Sequence, residues 1–126
     1  MSMRTPLAEA RGLGSAKTGA EHWWVQRLTA VALVPLTLWL VFSVTGLVGA
    51  DHATLVAWLS SPIRLALLIL FLVAMFHHAQ LGLQVVIEDY VHQEGAKLAL
   101  LVAAKFLLWL LATVAILAAL RIAFSG

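Results

Sequence analysis

Charged residues divide the chain into three long apolar runs separated by polar stretches. From Leu28 to Ala50 there are 23 residues without Asp, Glu, Lys or Arg, and from Leu65 to Ile87 another 23. A third run of 23, from Leu98 to Leu120, is interrupted once, by Lys105. About 20 mainly apolar residues span the hydrocarbon core of a bilayer as a helix. Each run suffices, and together they predict an all-α integral membrane protein with transmembrane helices near 24–49, 62–88 and 97–123. Lipid offers no water to free backbone groups, and the runs lack the period-2 alternation of a barrel strand, so helices are the expected form. Pro35 falls inside the first run, where it cannot donate to the residue four before it and is expected to kink the helix. Pro62 falls where the second helix should begin, a position that tolerates proline.

Residues 1–21 differ in kind. Pro6, Gly12, Gly14, Ser15 and Gly19 are scattered among Arg4, Arg11 and Lys17. This reads as a flexible cytoplasmic arm, with residues 22–126 forming the membrane domain. The arm has no apolar stretch with a cleavage site of its own, so a removed signal peptide is not expected. Neither an internal repeat nor a second domain is visible.

Composition agrees with the spans: 63% of the residues are hydrophobic and 11% charged. A soluble domain of 126 residues would leave much of that apolar material facing water. An ordinary cytoplasmic domain, a disordered chain and a nucleic-acid binder are therefore excluded. The chain has no cysteine, which rules out thiolate-held iron–sulfur clusters, disulfides and haem attached through C-x-x-C-H. The formal charge of +2 speaks to topology. Arg4, Arg11, Lys17 and Arg27 precede the first span, and the loop from Asp51 to Ser61 has no Lys or Arg. The positive-inside rule then puts the N-terminus and the loop from Glu88 to Lys97 in the cytoplasm and the C-terminus outside.

Polar side chains inside a membrane are costly, so they mark candidate function. Here they are His77, His78, Gln80, Gln84 and Lys105. His22, His52 and His92 fall at interfaces or in loops and read as solvated or headgroup-facing. His77 and His78 lie within the second span, short of its cytoplasmic end. One reading is a histidine hydrogen-bonded across a helix interface. The other is an axial haem ligand, since imidazole nitrogen is a standard iron ligand. Gly82, four residues after His78 and about 40° round the helix, would let a flat macrocycle approach. The predicted first and third spans contain no histidine. A second axial ligand would therefore come from another polypeptide, and without cysteine the haem would be b-type. Glu88, Asp89 and Tyr90 stand at the cytoplasmic edge. If the helix continues, Asp89 lies about 20° from His78 in projection and ~16 Å away in height. That would bring the interfacial acid and phenol to one side of the helix with the redox centre. Tyrosine is common in interfacial belts. A phenol can also donate to a quinone carbonyl, and a nearby carboxylate can connect it to bulk protons.

The stretch from His78 to Val91 resembles the second helix of the small hydrophobic anchor subunit of succinate dehydrogenase, respiratory complex II. That family reads H-A-x-x-G-x-x-x-x-x-x-D-Y-V, and His78, Ala79, Gly82, Asp89, Tyr90 and Val91 all match. Arg27-Leu28-Thr29-Ala30 resembles its R-x-T-A, and His22-Trp23-Trp24-Val25-Gln26 resembles the alphaproteobacterial version. The resemblance covers roughly residues 19–120. It implies a three-helix subunit of a heteromeric bundle in the bacterial inner membrane. His78 would be an axial ligand to haem b iron, with the other ligand from the cytochrome b-type anchor subunit. Tyr90 would bind ubiquinone with Asp89 beside it, Gly82 would pack on the haem, and Arg27 would lie near a propionate or the quinone pocket. The anchor itself would oxidise nothing. A flavoprotein subunit oxidises succinate, an iron–sulfur subunit carries the electrons, and the anchor docks both. Trp23 and Trp24 read as an aromatic belt or as contacts of the iron–sulfur subunit. Lys105 reads as snorkelling or as the partner of a propionate or carboxylate.

Two other classes compete. A small proton or ion transporter subunit would use His77, His78 and Lys105 as relays, but it would more often show an intramembrane carboxylate and paired repeats. A cofactor-free structural partner gives no reason for the joint spacing of His78, Gly82, Asp89 and Tyr90.

Overall fold

The computed structural model describes residues 6–7 and 17–125. Most of the arm read over residues 1–21 therefore lies outside the described residues. Among residues 17–125, four helices follow one another: α1 (Lys17–Gly46), α2 (His52–Leu59), α3 (Pro62–Tyr90) and α4 (Glu94–Ala123). Three of them are long and apolar enough to cross a membrane. At 1.5 Å per residue each is ~45 Å long, so its ends reach beyond a hydrocarbon core of about 30 Å into the headgroups. Pro62 opens α3 at its first turn, where its missing N–H costs no hydrogen bond. Pro35 lies inside α1, and the helix continues through it to Gly46.

The loop expected between the first two spans contains the short helix α2. Asp51 caps it. One carboxylate oxygen accepts from the Thr54 amide at 2.9 Å and from its hydroxyl at 2.6 Å. These bonds, the hydroxyl's first, hold the exposed Asp51 carboxyl below its usual range. The Trp58 indole stacks on Trp39 of α1, with ring centroids 5.8 Å apart, and the Arg64 guanidinium sits 5.6 Å above Trp58. The Ser60 hydroxyl donates to the Ala123 carbonyl at 3.1 Å, tying this corner to the end of α4.

α3 is the middle element, packed on α1 along one side and on α4 along the other. α1 and α4 make no contact with each other among the described residues. The arrangement is therefore an open row, and its core is thin. The buried apolar residues are Leu36, Leu59, Ala74, Leu81, Ala119 and Ala123. α4 is the most apolar of the three spans, and most of its side chains are uncovered within the chain. Surface this apolar and this uncovered must face lipid or other helices.

Candidate functional site

The antiparallel pair α1 and α3 builds the site. Its centre is a hydrogen bond across the interface, with Thr29 Oγ1 3.0 Å from His78 Nδ1. The same hydroxyl oxygen is 2.9 Å from the Val25 carbonyl and 3.0 Å from the Gln26 carbonyl, one turn earlier in its own helix. His78 and Thr29 are both half-buried, and His78 Nε2 has no hydrogen-bond partner among the described residues. A histidine hydrogen-bonded across an interface, one of the two readings of this position, is present, but it occupies only one ring nitrogen.

Neighbouring His77 points elsewhere. It is exposed and lines an open groove of about 200 Å³ between α3 and α4, with Gln80, Trp109 and Thr113. Successive helical positions differ by about 100°, enough to put the two imidazoles on opposite flanks of α3. Gly82 is half-buried, and a Cβ there would meet nothing within 4 Å. It does not have the positive φ that favours glycine. Inside a helix glycine costs about 1 kcal/mol relative to alanine. Neither backbone conformation nor packing within the chain accounts for it.

α3 stays helical through Tyr90. Asp89 is thus about 20° from His78 in azimuth and ~16 Å away along the axis. Tyr90, one residue on, is about 120° from His78. The phenol therefore does not share the His78 stripe with the acid, contrary to the expectation that both would lie on one side. Both side chains are exposed, Tyr90 by 78%. Arg27 is exposed as well, with its guanidinium 5.2 Å over the Trp23 ring. It sits two residues before Thr29, about 200° round α1, on the side turned from α3. The chain therefore brings Thr29 and His78 together, but leaves Arg27, Asp89 and Tyr90 open to whatever covers them.

Between His78 and the end of α3 runs a second open cleft of about 380 Å³, lined by His22, Trp23 and Gln26 of α1 and by Leu81, Gln84, Val85 and Glu88 of α3. Gln84 Nε2 donates to Glu88 Oε1 at 3.0 Å across its floor. His22, expected at the interface, and Gln84, expected within the span, thus line one cleft. Lys105 is exposed on α4 and forms no ion pair among the described residues, where the ion pair found is Lys97 with Glu94 at 3.9 Å. No group of three or more His, Asp or Glu side chains able to hold a bare metal ion occurs among the described residues. An axial haem ligand requires only one donor, because the macrocycle supplies the rest.

Residues 1–112 match the family described as succinate dehydrogenase/fumarate reductase transmembrane subunit. The chain belongs to that family. Similar proteins include the succinate dehydrogenase hydrophobic membrane anchor subunit of Rickettsia bellii, 37% identical over 102 residues, covering 81% of this chain and 82% of the relative. The subunit of the same name from Paracoccus denitrificans is 31% identical over 117 residues, covering 93% and 90%. The succinate dehydrogenase membrane anchor subunit of Reclinomonas americana is 34% identical over 85 residues, covering 65% and 71%. No solved structure matches the chain significantly. Family membership and the three spans make this a multi-pass membrane protein and a membrane-anchor subunit of succinate dehydrogenase, part of a larger assembly. The exposed faces of α1 and α4 are what such a transmembrane subunit presents to its partners and to lipid.

Proposed function

We propose that this chain anchors a succinate dehydrogenase in the bacterial inner membrane, supplies one axial ligand of a haem b through His78, and contributes to the site where ubiquinone is reduced. The observation that carries the reading is the arrangement along α3. A half-buried imidazole with one nitrogen engaged and the other unpartnered lies ~16 Å from an acid and a phenol exposed at the helix end. The donor chemistry fits a haem. A neutral imidazole offers one bare nitrogen to iron while its N–H is held elsewhere, and Gly82 leaves the adjacent surface clear. When bound, the haem supplies a one-electron redox centre at this depth. Reduction of the quinone takes two electrons and two protons. The Tyr90 hydroxyl donates a hydrogen bond to a quinone carbonyl as negative charge develops on its oxygen. Asp89, beside it at the aqueous edge, passes protons from the cytoplasm. Arg27 neutralises a propionate or borders the quinone pocket. The second axial histidine belongs to the cytochrome b-type anchor subunit. The iron–sulfur subunit delivers electrons that the flavoprotein subunit takes from succinate, and both dock on the cytoplasmic side.

The orientation rests on charge. The end that carries Arg27 and Lys97 faces the cytoplasm, and the C-terminus faces the periplasm. Substitution of the two histidines tests the ligand. His78→Ala is expected to remove the haem b spectrum from the purified complex. His77→Ala, on the opposite flank beside α4, is expected to leave it largely intact. The reverse pattern would move the ligand to His77, and normal spectra in both variants would remove this chain from haem binding.

A further inference from the structure

We infer that Thr29 is the positioning residue of the haem ligand: its hydroxyl accepts the His78 Nδ1 proton and thereby commits Nε2 to iron. The inference rests on the reading of His78 as an axial ligand and adds the group that orients it. Proton counting leads to it. Thr29 Oγ1 has one proton and lies within hydrogen-bond distance of three atoms: the Val25 carbonyl, the Gln26 carbonyl and His78 Nδ1. Carbonyl oxygens only accept. If the hydroxyl proton turns to Nδ1, the two carbonyl contacts bring Thr29 nothing and Nε2 carries the imidazole's proton, which blocks it as a ligand. If the proton goes back to the α1 carbonyls, as threonine hydroxyls commonly do one turn back in a helix, the oxygen's lone pairs are free to accept from Nδ1–H. That choice uses all three contacts and leaves Nε2 bare. The tautomer with more hydrogen bonds is therefore the one that can hold iron.

The contact also fixes the ring. Histidines that ligate metals almost always donate their other N–H to an oxygen, which sets orientation and raises ligand basicity. Here the oxygen belongs to α1, the helix opposite, so the register of α1 against α3 sets the ring's position. Thr29 is itself restrained, because its hydroxyl is tied to its own backbone on two sides and β-branching leaves it few rotamers. A serine keeps the hydroxyl and a valine keeps the shape, so the two separate hydrogen bonding from packing.

The test uses the assembled complex carrying Thr29→Val, Thr29→Ser or His78→Ala. The first measurement is the rate at which haem leaves the complex for excess apomyoglobin, and the second is the haem midpoint potential. Loss of an outer partner of a metal-bound histidine typically costs 10- to 100-fold in affinity. Thr29→Val is expected to speed haem transfer by about that factor and to raise the midpoint, because a less basic imidazole stabilises ferric iron less. Thr29→Ser is expected to stay close to wild type in both. Where valine lowers the yield of complex, Thr29→Ala against Thr29→Ser makes the same comparison, since both lack the methyl and only serine retains the hydroxyl. Unchanged transfer and midpoint in Thr29→Val, with haem lost from His78→Ala, would overturn the role of Thr29 and leave the ligand standing. Loss in Thr29→Ser with none in Thr29→Val would also overturn it, in favour of packing by the methyl group. A normal haem spectrum in His78→Ala would overturn the ligand assignment and the inference with it.

Discussion

Replacing Tyr90 by phenylalanine removes one oxygen and nothing else that this chain uses. The side chain is 78% exposed at the last residue of α3, and its hydroxyl has no hydrogen-bond partner among the described residues. The folding cost within the subunit should thus fall in the range of ordinary surface substitutions, about ±0.5 kcal/mol. The effect on quinone reduction depends on how dry the site is once the partner subunits cover this end of the helix. A donor aimed at developing charge in a water-excluded site is worth about 3 kcal/mol, which at 1.36 kcal/mol per decade is roughly 150-fold in rate. If water still reaches the carbonyl, the net value of the bond is nearer 1 kcal/mol, or about 5-fold. Tyr90→Phe is therefore expected to lower ubiquinone reductase activity by between about 5- and 150-fold. Oxidation of succinate by an artificial soluble acceptor should hardly change, because that reaction bypasses the membrane subunits. The assay is the ratio of the two activities in membranes of equal complex content. An unchanged ratio would refute the reasoning, make Tyr90 an interfacial belt residue, and place the quinone site on the partner chains.

Three further outcomes are expected. Asp89→Asn should lower the same ratio more mildly than Tyr90→Phe, since an amide keeps the size but neither holds nor relays a proton; a defect in the artificial-acceptor reaction instead would place Asp89 in docking. A periplasm-only reporter inserted between Val91 and Glu94 should be silent, and activity from it would invert the topology. Ala74→Leu should lower the thermal inactivation temperature of the detergent-extracted complex. Ala74 is among the few buried residues of the row, and overpacking typically costs 1–3 kcal/mol. Val102→Leu, at a position exposed on this chain, serves as its control, and equal effects of the two would count against the packing described.

The three spans were legible because each crosses 23 residues with at most one charge, a signal that depends on no tertiary contact. Their ends were less so. α1 begins at Lys17, inside the stretch read as an arm, and α4 begins at Glu94, ahead of the apolar run. Both extensions are polar turns that leave the membrane and cost little to keep helical. The short helix α2 was missed although its signal was present. Asp51 stands three residues before Thr54 at the head of an apolar run, the pattern of an N-cap. The azimuth of Tyr90 was also available, because twelve residues at 100° bring it to about 120° from His78. What could not be read was Thr29. Its partner is 49 residues away, and only the register of α1 on α3 shows that this threonine, rather than Thr37 or Thr45, faces the imidazole.

The open row of helices bears on where, in the haem site proposed for His78, a second axial ligand would come from. A haem with two histidine ligands held by this chain alone would need a second imidazole facing His78 at the same depth. α1 carries His22 near its start, exposed and about two turns beyond Thr29, and α4 carries no histidine. His77 is adjacent in sequence but turned toward α4, where the neighbours in its groove are Gln80, Trp109 and Thr113. α1 and α4 do not close over α3, so the polar groups on its two flanks stay accessible from the sides of the row. The thin core says the same thing energetically. Among the described residues only Leu36, Leu59 and Leu81 and the small Ala74, Ala119 and Ala123 are buried, while many other Leu, Val, Phe and Trp side chains stand outward. A chain built this way gains most of its packing from what surrounds it. A partner helix bearing the missing imidazole would cover apolar surface and complete the iron coordination in the same contact. Haem binding and subunit assembly would then be coupled, and losing His78 should weaken the association of the two anchor subunits as well as remove the haem.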